Sequence, residues 1–142
     1  MSKGDTFEND LLKLILNATP IANIADNAAT SPLVNVFVAL HTADPGEAGT
    51  QSTSEAAYTG YGRATVARTS GGWTITGSSA SPTATIPFGL CTAGTGTATF
   101  ASIGVAVSGA TKILYSGALS PTIAYSTGVT PQIGTTSTIT ED

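Results

Sequence analysis

Val34-Asn35-Val36-Phe37-Val38-Ala39-Leu40 is apolar at every position except Asn35. Along a strand, Val34, Val36, Val38 and Leu40 share one face, and Phe37 and Ala39 keep the other face apolar as well. A strand of that kind belongs inside a sheet or under cover on both sides. Immediately after it, His41-Thr42-Ala43 leads into Asp44-Pro45-Gly46, a turn in which proline presets φ and glycine accepts a positive one. Asp44, Pro45 and Gly46 are therefore read as structural turn residues. From Glu47 to Tyr61 the chain is rich in Gly, Thr, Ser and Ala and has no hydrophobic period. It reads as a long surface loop, and long ordered loops often carry function.

Short strands at close spacing follow. Arg63 to Arg68 is one, and Trp73 to Thr76 another, after Gly71-Gly72. A Gly-Ser-Ser-Ala-Ser-Pro loop covers 77–82. Thr83 to Phe88 carries Pro87, the mark of an edge or a bulge. Thr97 to Val107 has a bend at Gly104 and forms a hairpin with Lys112 to Tyr115 across Ser108-Gly109-Ala110-Thr111. Leu119 to Tyr125, Val129 to Ile133 and the Thr-rich tail around Ile139 bring the count to roughly eight. The expected fold is all-β, a two-sheet sandwich or jelly roll with one short N-terminal helix.

That helix is capped by Asp5 with Glu8 three residues on, a variant of the capping box. Phe7, Leu11, Leu14 and Ile15 fall on one face with Leu12 and Leu16 beside it, and Asn17 and Pro20 end it. An apolar face on a terminal helix either lids one end of the sandwich or docks on a partner. Ile21 to Pro32, rich in Ala and Asn, reads as an irregular linker. The expected organisation is an N-terminal helix and linker arm over 1–32 and a β-sandwich domain over 33–142.

Composition agrees with the strand pattern. The 142 residues include 25 threonines and 14 serines, and β-branched threonine suits a pleated surface. Only 10% are charged against roughly 25% in ordinary soluble domains. A monomer normally keeps more surface charge to resist association, so the low figure points to a chain that works packed against its neighbours. Net charge is −4, and the five Lys and Arg are scattered. Neither nucleic acid nor an anionic membrane surface is expected as a partner. The Leu11–Leu16 run does not read as a signal-peptide core: Lys13 interrupts it, and Asp5, Glu8 and Asp10 precede it. No apolar run reaches the roughly 18 residues of a membrane span.

A search for chemistry finds little. Cys91 is the only cysteine, so no intrachain disulfide can form, and no basic residue lies near it to activate a thiolate. His41 is the only histidine, so a zinc cluster is not expected. A triad would have to join His41 to Asp44 and a serine, yet Asp44 suits the turn better and no nucleophile-elbow pattern accompanies it. Gly94-Thr95-Gly96 precedes a strand pattern and fails the dinucleotide test. The expectation is a non-catalytic protein with no cofactor. Tyr58, Tyr61 and Trp73 suggest a sugar-stacking platform or ordinary core aromatics.

One stretch carries a resemblance. Leu40-His41-Thr42-Ala43-Asp44-Pro45-Gly46-Glu47, then Gly49-Thr50-Gln51, Glu55 and Tyr58-Thr59-Gly60-Tyr61-Gly62-Arg63, resembles a family of small tailed-bacteriophage virion proteins. Those carry a "lalHtaDPG…GtQ…E…YtgYaR" stretch after their first strand, and the likeness continues through Phe100–Val107, Ile113–Leu119 and Gly128. The chain departs at Ala101–Val107, which lacks the polar residues of the "thfGiyda" pattern in similar proteins. The resemblance implies a capsid cement (decoration) protein or a tail-fibre protein. Small size, low charge and the apolar helix favour the cement role. The chain would then sit on the outer surface of the phage head after synthesis in the bacterial cytoplasm. Its partners would be the major capsid protein and itself, as homodimer or homotrimer. The alternative is a tail-fibre or baseplate component that touches the host through the 47–61 loop. Candidate interface residues are Phe7, Leu11, Leu14, Ile15, Tyr58 and Tyr61.

Overall fold

Period-two hydrophobicity produces strands wherever it is strong, and pairing supplies the rest. The computed structural model describes residues 5–21, without the side chains of Asp5 and Phe7, and residues 33–141. Its elements are α1 (Asp5–Leu16), β1 (Asn35–His41), β2 (Ala64–Ala67), β3 (Trp73–Thr76), β4 (Ser79–Pro82), β5 (Ile86–Pro87), β6 (Thr95–Gly104), β7 (Ile113–Ser126), β8 (Gln132–Ile133) and β9 (Ile139–Thr140). The sheets run β2-β1-β6-β7, β3-β4-β9 and β5-β8. The pairs β1–β6, β6–β7, β3–β4, β4–β9 and β5–β8 are antiparallel. Among the described residues this is an all-β protein with one short helix, as a β-sandwich of about nine strands requires.

The chain divides into two compact units: Met1–Asn35 with Ala67–Thr85 and Gly134–Asp142, and Val36–Val66 with Ile86–Ile133. In the first, α1 packs on β3 and β4. Leu12 and Leu16, one turn apart, are completely buried, and Glu8 extends the same row. Leu11, Leu14 and Ile15 are only partly covered, so the buried row lies beside the face expected from the sequence. Arg68 ties the helix end down, its guanidinium donating to the carbonyls of Leu14 at 2.9 Å and Ile15 at 2.6 Å. Phe7 and Asp5 as interface and cap residues, and the 22–32 linker, lie outside the described side chains and residues.

The same unit holds an unexpected hairpin. Residues 77–82 do not form a loop, because Ser79–Pro82 pairs with β3 and carries β9 on its other side. Gly77 and Ser78 make the two-residue connection, and Gly77 has φ +59, the positive value that the first turn position of a type II′ hairpin demands.

In the second unit β1 is interior, as its double-sided pattern requires. Val36 and Leu40 are fully buried and Val38 nearly so, while Ala39 and His41 are fully buried on the other face. Each such Val or Leu contributes roughly 1.5–3 kcal/mol by leaving water. Two expected strands, Lys112–Tyr115 and Leu119–Tyr125, are one, the fourteen-residue β7. Its pairing with β6 continues on both sides of an irregularity, from Phe100 opposite Ala118 to Ala98 opposite Ile123, and the bulge takes up Pro121. β6 stops at Gly104, so Val105–Val107 leaves the ladder and Val107 is exposed. Pro87 sits in the short ribbon β5-β8, which has only edge positions.

Candidate functional site

The residues of the 41–63 stretch converge on one buried polar core inside the second unit. Strand β1 ends at His41, and the chain then returns so that Glu55 forms an isolated antiparallel bridge with His41. Thr42 N–H donates to Ser54 carbonyl and Ala56 N–H to Leu40 carbonyl, both at 2.8 Å. Beyond His41, Asp44 Oδ1 accepts from Gly46 N–H at 2.8 Å, and Gly46 has φ +71. Between these anchors the 47–61 stretch folds inward: Gln51, Ala56 and Tyr58 are buried. The rest of the stretch is exposed or half-buried, so it is a surface loop, as its composition implied, with these three side chains anchored inward.

Arg63 is the hub. Its Nε and Nη2 grip both oxygens of Glu55 at 2.7 and 2.8 Å, a bidentate pair. The remaining donors reach the carbonyls of Gly109 (2.8 Å) and Ala106 (3.0 Å), and the oxygens of Thr111 (3.1 Å), Ser52 (3.2 Å) and Gln51 (3.4 Å). Its side chain is 2% exposed and that of Glu55 19%. The Glu55 hydrogen bonds hold the guanidinium pKa above its ordinary value. Gln51 is satisfied at both ends, donating to Phe37 carbonyl at 2.8 Å and accepting from Thr111 Oγ1 at 3.1 Å. One cation thus ties the 51–55 stretch to the connection between β6 and β7.

Gly104, at the end of β6, makes room for that glutamine. A Cβ there would lie 2.1 Å from Gln51 Cδ and Oε1. Because the amide is pinned by Phe37 and Thr111, it cannot swing away without losing those bonds. Gly104→Ala is expected to cost about 1–3 kcal/mol in denaturant unfolding. Adding Gln51→Ala removes the clash, so the two losses should sum to less than their parts in a double-mutant cycle. Strict additivity would mean the close approach carries no strain.

His41 sits beside this hub. Its Nδ1 lies 2.8 Å from Thr53 carbonyl, which can only accept, so Nδ1 carries the proton. Nε2 then accepts from Ser102 Oγ at 2.7 Å. A Ser–His pair is the geometry of an activated nucleophile, but the two residues are 0% and 2% exposed, and the third partner is a backbone carbonyl where a triad has a carboxylate. The pair works as a clamp between β1, β6 and the loop.

Burial lowers the His41 pKa, with Arg63 in the same direction; the Thr53 hydrogen bond and Glu55 oppose it. An unfolded histidine titrates near 6.5. The unfolded chain therefore binds more protons below that pH, so the contribution is complete above about 6.5 and is lost as pH falls toward the lower folded pKa. The thermal midpoint is expected to drop more between pH 7 and about 5 in the native chain than in His41→Gln. Parallel curves for the two proteins would contradict it.

An aromatic cluster closes the site. Tyr58 meets Tyr61 edge-on at 5.3 Å and Tyr125 at 4.8 Å, and Tyr61 stacks on Phe88 at 6.3 Å. Tyr58 donates to Gly89 carbonyl at 2.7 Å, and burial pushes its pKa up to about 12. Tyr61 donates to Glu55 at 3.1 Å and accepts from Leu40 N–H at 3.1 Å, and burial raises its pKa too. Of these two interface candidates Tyr58 is buried inside the unit, while Tyr61 is only partly covered. Trp73 lies in the other unit, at 2% exposure. Cys91 is fully buried, its Sγ near the carbonyls of Ala93 and Gly94.

In the sequence Gln51 and Glu55 stand out only as members of a motif, Arg63 as a motif member and the start of a strand, and Thr111 as a turn residue, and nothing marks Ser102. The usable signal was Arg63, one of only five basic residues, directly following an aromatic-glycine turn. Among the described residues no three His, Cys, Asp or Glu side chains are grouped to hold a metal ion. Residues 4–140 match the family model of the podophage GP4 fiber I protein gp80. No curated protein matches the chain.

Proposed function

The chain belongs to the podophage GP4 fiber I protein gp80 family and is a tailed-phage virion protein, and from that premise we propose that it is a non-catalytic fibre component that contacts the host surface. The observation that supports this reading is the extent of the match, which takes in α1 and the nine strands of the described residues. The polar core fits a structural part: its hydrogen-bonding capacity is turned inward, onto the protein's own loop.

The capsid-cement role, favoured by the sequence, fits the family's description less well than a fibre role does. Small size and low charge suit a fibre equally. The terminal helix buries Leu12 and Leu16 in its own unit but leaves the interface candidates Leu11, Leu14 and Ile15 only partly covered, so it favours neither role over the other. Cell binding cannot be tested through Tyr58→Ala or Tyr61→Ala, because loss of either ring disturbs the core.

Immunogold labelling of intact virions with antibody against this chain separates the roles. Label at the tail, with saturable binding of purified protein to host cells, is the expected result. Label spread over the capsid faces, with co-sedimentation on undecorated heads at hundreds of copies per particle, would return the protein to the head.

A further inference from the structure

We propose that the buried polar core carries out one covalent step on itself: Ser102 Oγ attacks Gln51 Cδ, ammonia leaves, and an ester joins β6 to the 47–61 loop. The proposal does not depend on the fibre reading, since such a link would serve a head or a tail protein alike.

Each group that such a step needs is within reach. The nucleophile is Ser102 Oγ, 2.7 Å from His41 Nε2. The base has the right tautomer: Nδ1 donates to Thr53 carbonyl, so Nε2 holds the lone pair that takes the serine proton. The electrophile is Gln51, whose Nε2 lies 3.4 Å from Ser102 Oγ, with Cδ the next atom along. Its other amide hydrogen is held by Phe37 carbonyl at 2.8 Å, which keeps the nitrogen on the serine side. The amide oxygen accepts from Thr111 Oγ1 at 3.1 Å and from Arg63 Nη1 at 3.4 Å. Two donors on that oxygen, one of them cationic, stabilise the negative charge that builds there as the carbon becomes tetrahedral. Glu55 is gripped by Nε and Nη2, so the nitrogen facing the glutamine is the one the carboxylate does not occupy.

Burial selects the substrate. His41 and Gln51 are 0% exposed and Ser102 2%, so an outside acyl group cannot reach the serine, whereas the Gln51 amide already touches it. Reactants held in contact within one chain replace the high concentration that an intermolecular ester would need. A site closed to bulk water also protects the ester from hydrolysis. In the step, the serine proton passes to His41 Nε2 as the Oγ–Cδ bond forms. The Cδ–Nε2 bond then breaks, and the nitrogen takes that proton from His41 and departs as ammonia. The histidine ends as it began, and nothing is oxidised or reduced. The step consumes its own glutamine, so it happens once per chain, in keeping with a structural part. The ester would close a covalent loop between residues 51 and 102, which restricts the unfolded chain.

Intact-mass spectrometry of the purified full chain, with or without Met1, is expected to read about 17 Da below the mass of the sequence, the loss of one ammonia. Trypsin cuts after lysine and arginine, and should leave peptide 14–63 joined to peptide 69–112. Fragmentation of that pair should place the link at Gln51 and Ser102, and mild alkali should separate the two peptides and leave glutamate at position 51. Ser102→Ala and His41→Gln should each keep the full mass and give separate peptides, with far-UV circular dichroism as the check that each variant is folded. The unmodified chain decides the matter even if neither variant folds: a full sequence mass with separate peptides would overturn the proposal. So would a link placed at Thr111, or an ammonia loss that persists in folded Ser102→Ala.

Discussion

Arg63→Met is expected to cost about 3–5 kcal/mol of folding free energy, the scale for removing one partner of a buried pair. Glu55 would keep a largely buried negative charge without its cation. The carbonyls of Ala106 and Gly109 and the oxygens of Ser52, Thr111 and Gln51 would each lose a donor. For a chain of this size the midpoint of thermal unfolding should fall by roughly 10–15 °C. Arg63→Lys should cost less, about 1–3 kcal/mol: it keeps the charge, but a single ammonium cannot span a carboxylate and two carbonyls. The double change Arg63→Met with Glu55→Met should recover part of the loss, because no stranded charge is left. Equilibrium unfolding in urea reads all three. A loss below about 1 kcal/mol for Arg63→Met would mean that the guanidinium does not hold the loop.

The elements readable from sequence were those whose information is local. β1 has apolar residues on both faces, and Val36, Val38, Ala39 and Leu40 are buried as the alternation requires, whereas Val34 falls outside the strand and is 68% exposed. The hydrogen bond from Gly46 N–H to Asp44 is equally local, closing between residues two apart. β4 was missed for the opposite reason. Ser79-Ala80-Ser81-Pro82 has no bulky alternation, and it becomes a strand because β3 and β9 lie on either side of it. β7 was expected as two strands, Lys112–Tyr115 and Leu119–Tyr125, and the long pairing with β6 joins them through Ser116-Gly117-Ala118. The polar core was the least readable part. His41, Gln51, Glu55, Arg63, Ser102 and Thr111 are spread over some 70 residues, and in sequence a polar residue in a Gly- and Ser-rich loop looks solvated. Only the path of the chain turns those residues inward, where desolvation obliges each donor and acceptor to find the others.

The helix supplies the second large effect. Replacing Leu12 and Leu16 together by alanine should destabilise the first unit by about 4–10 kcal/mol, from about 2–5 kcal/mol for each fully buried leucine. The two lie one turn apart in one row, so their losses are expected to depart from simple addition. Trp73 is the reporter: it lies in β3, one of the two strands that α1 covers, and is 2% exposed. Its emission should move to longer wavelength in the double variant at a denaturant concentration the native chain tolerates. Leu11→Ala, on the half-covered side of the same helix, should cost much less, because part of that side chain already meets water. The contrast separates two uses of one helix. If Leu11 proves as costly as the Leu12–Leu16 row, the half-covered face is part of the core, and the helix has no apolar side left for a partner. If Leu11→Ala is nearly neutral for folding, the outer face is free of a packing role. Any loss of assembly it then causes reports a contact with another subunit. Deleting residues 1–17 cannot make that distinction, because it removes the lid along with the outer face.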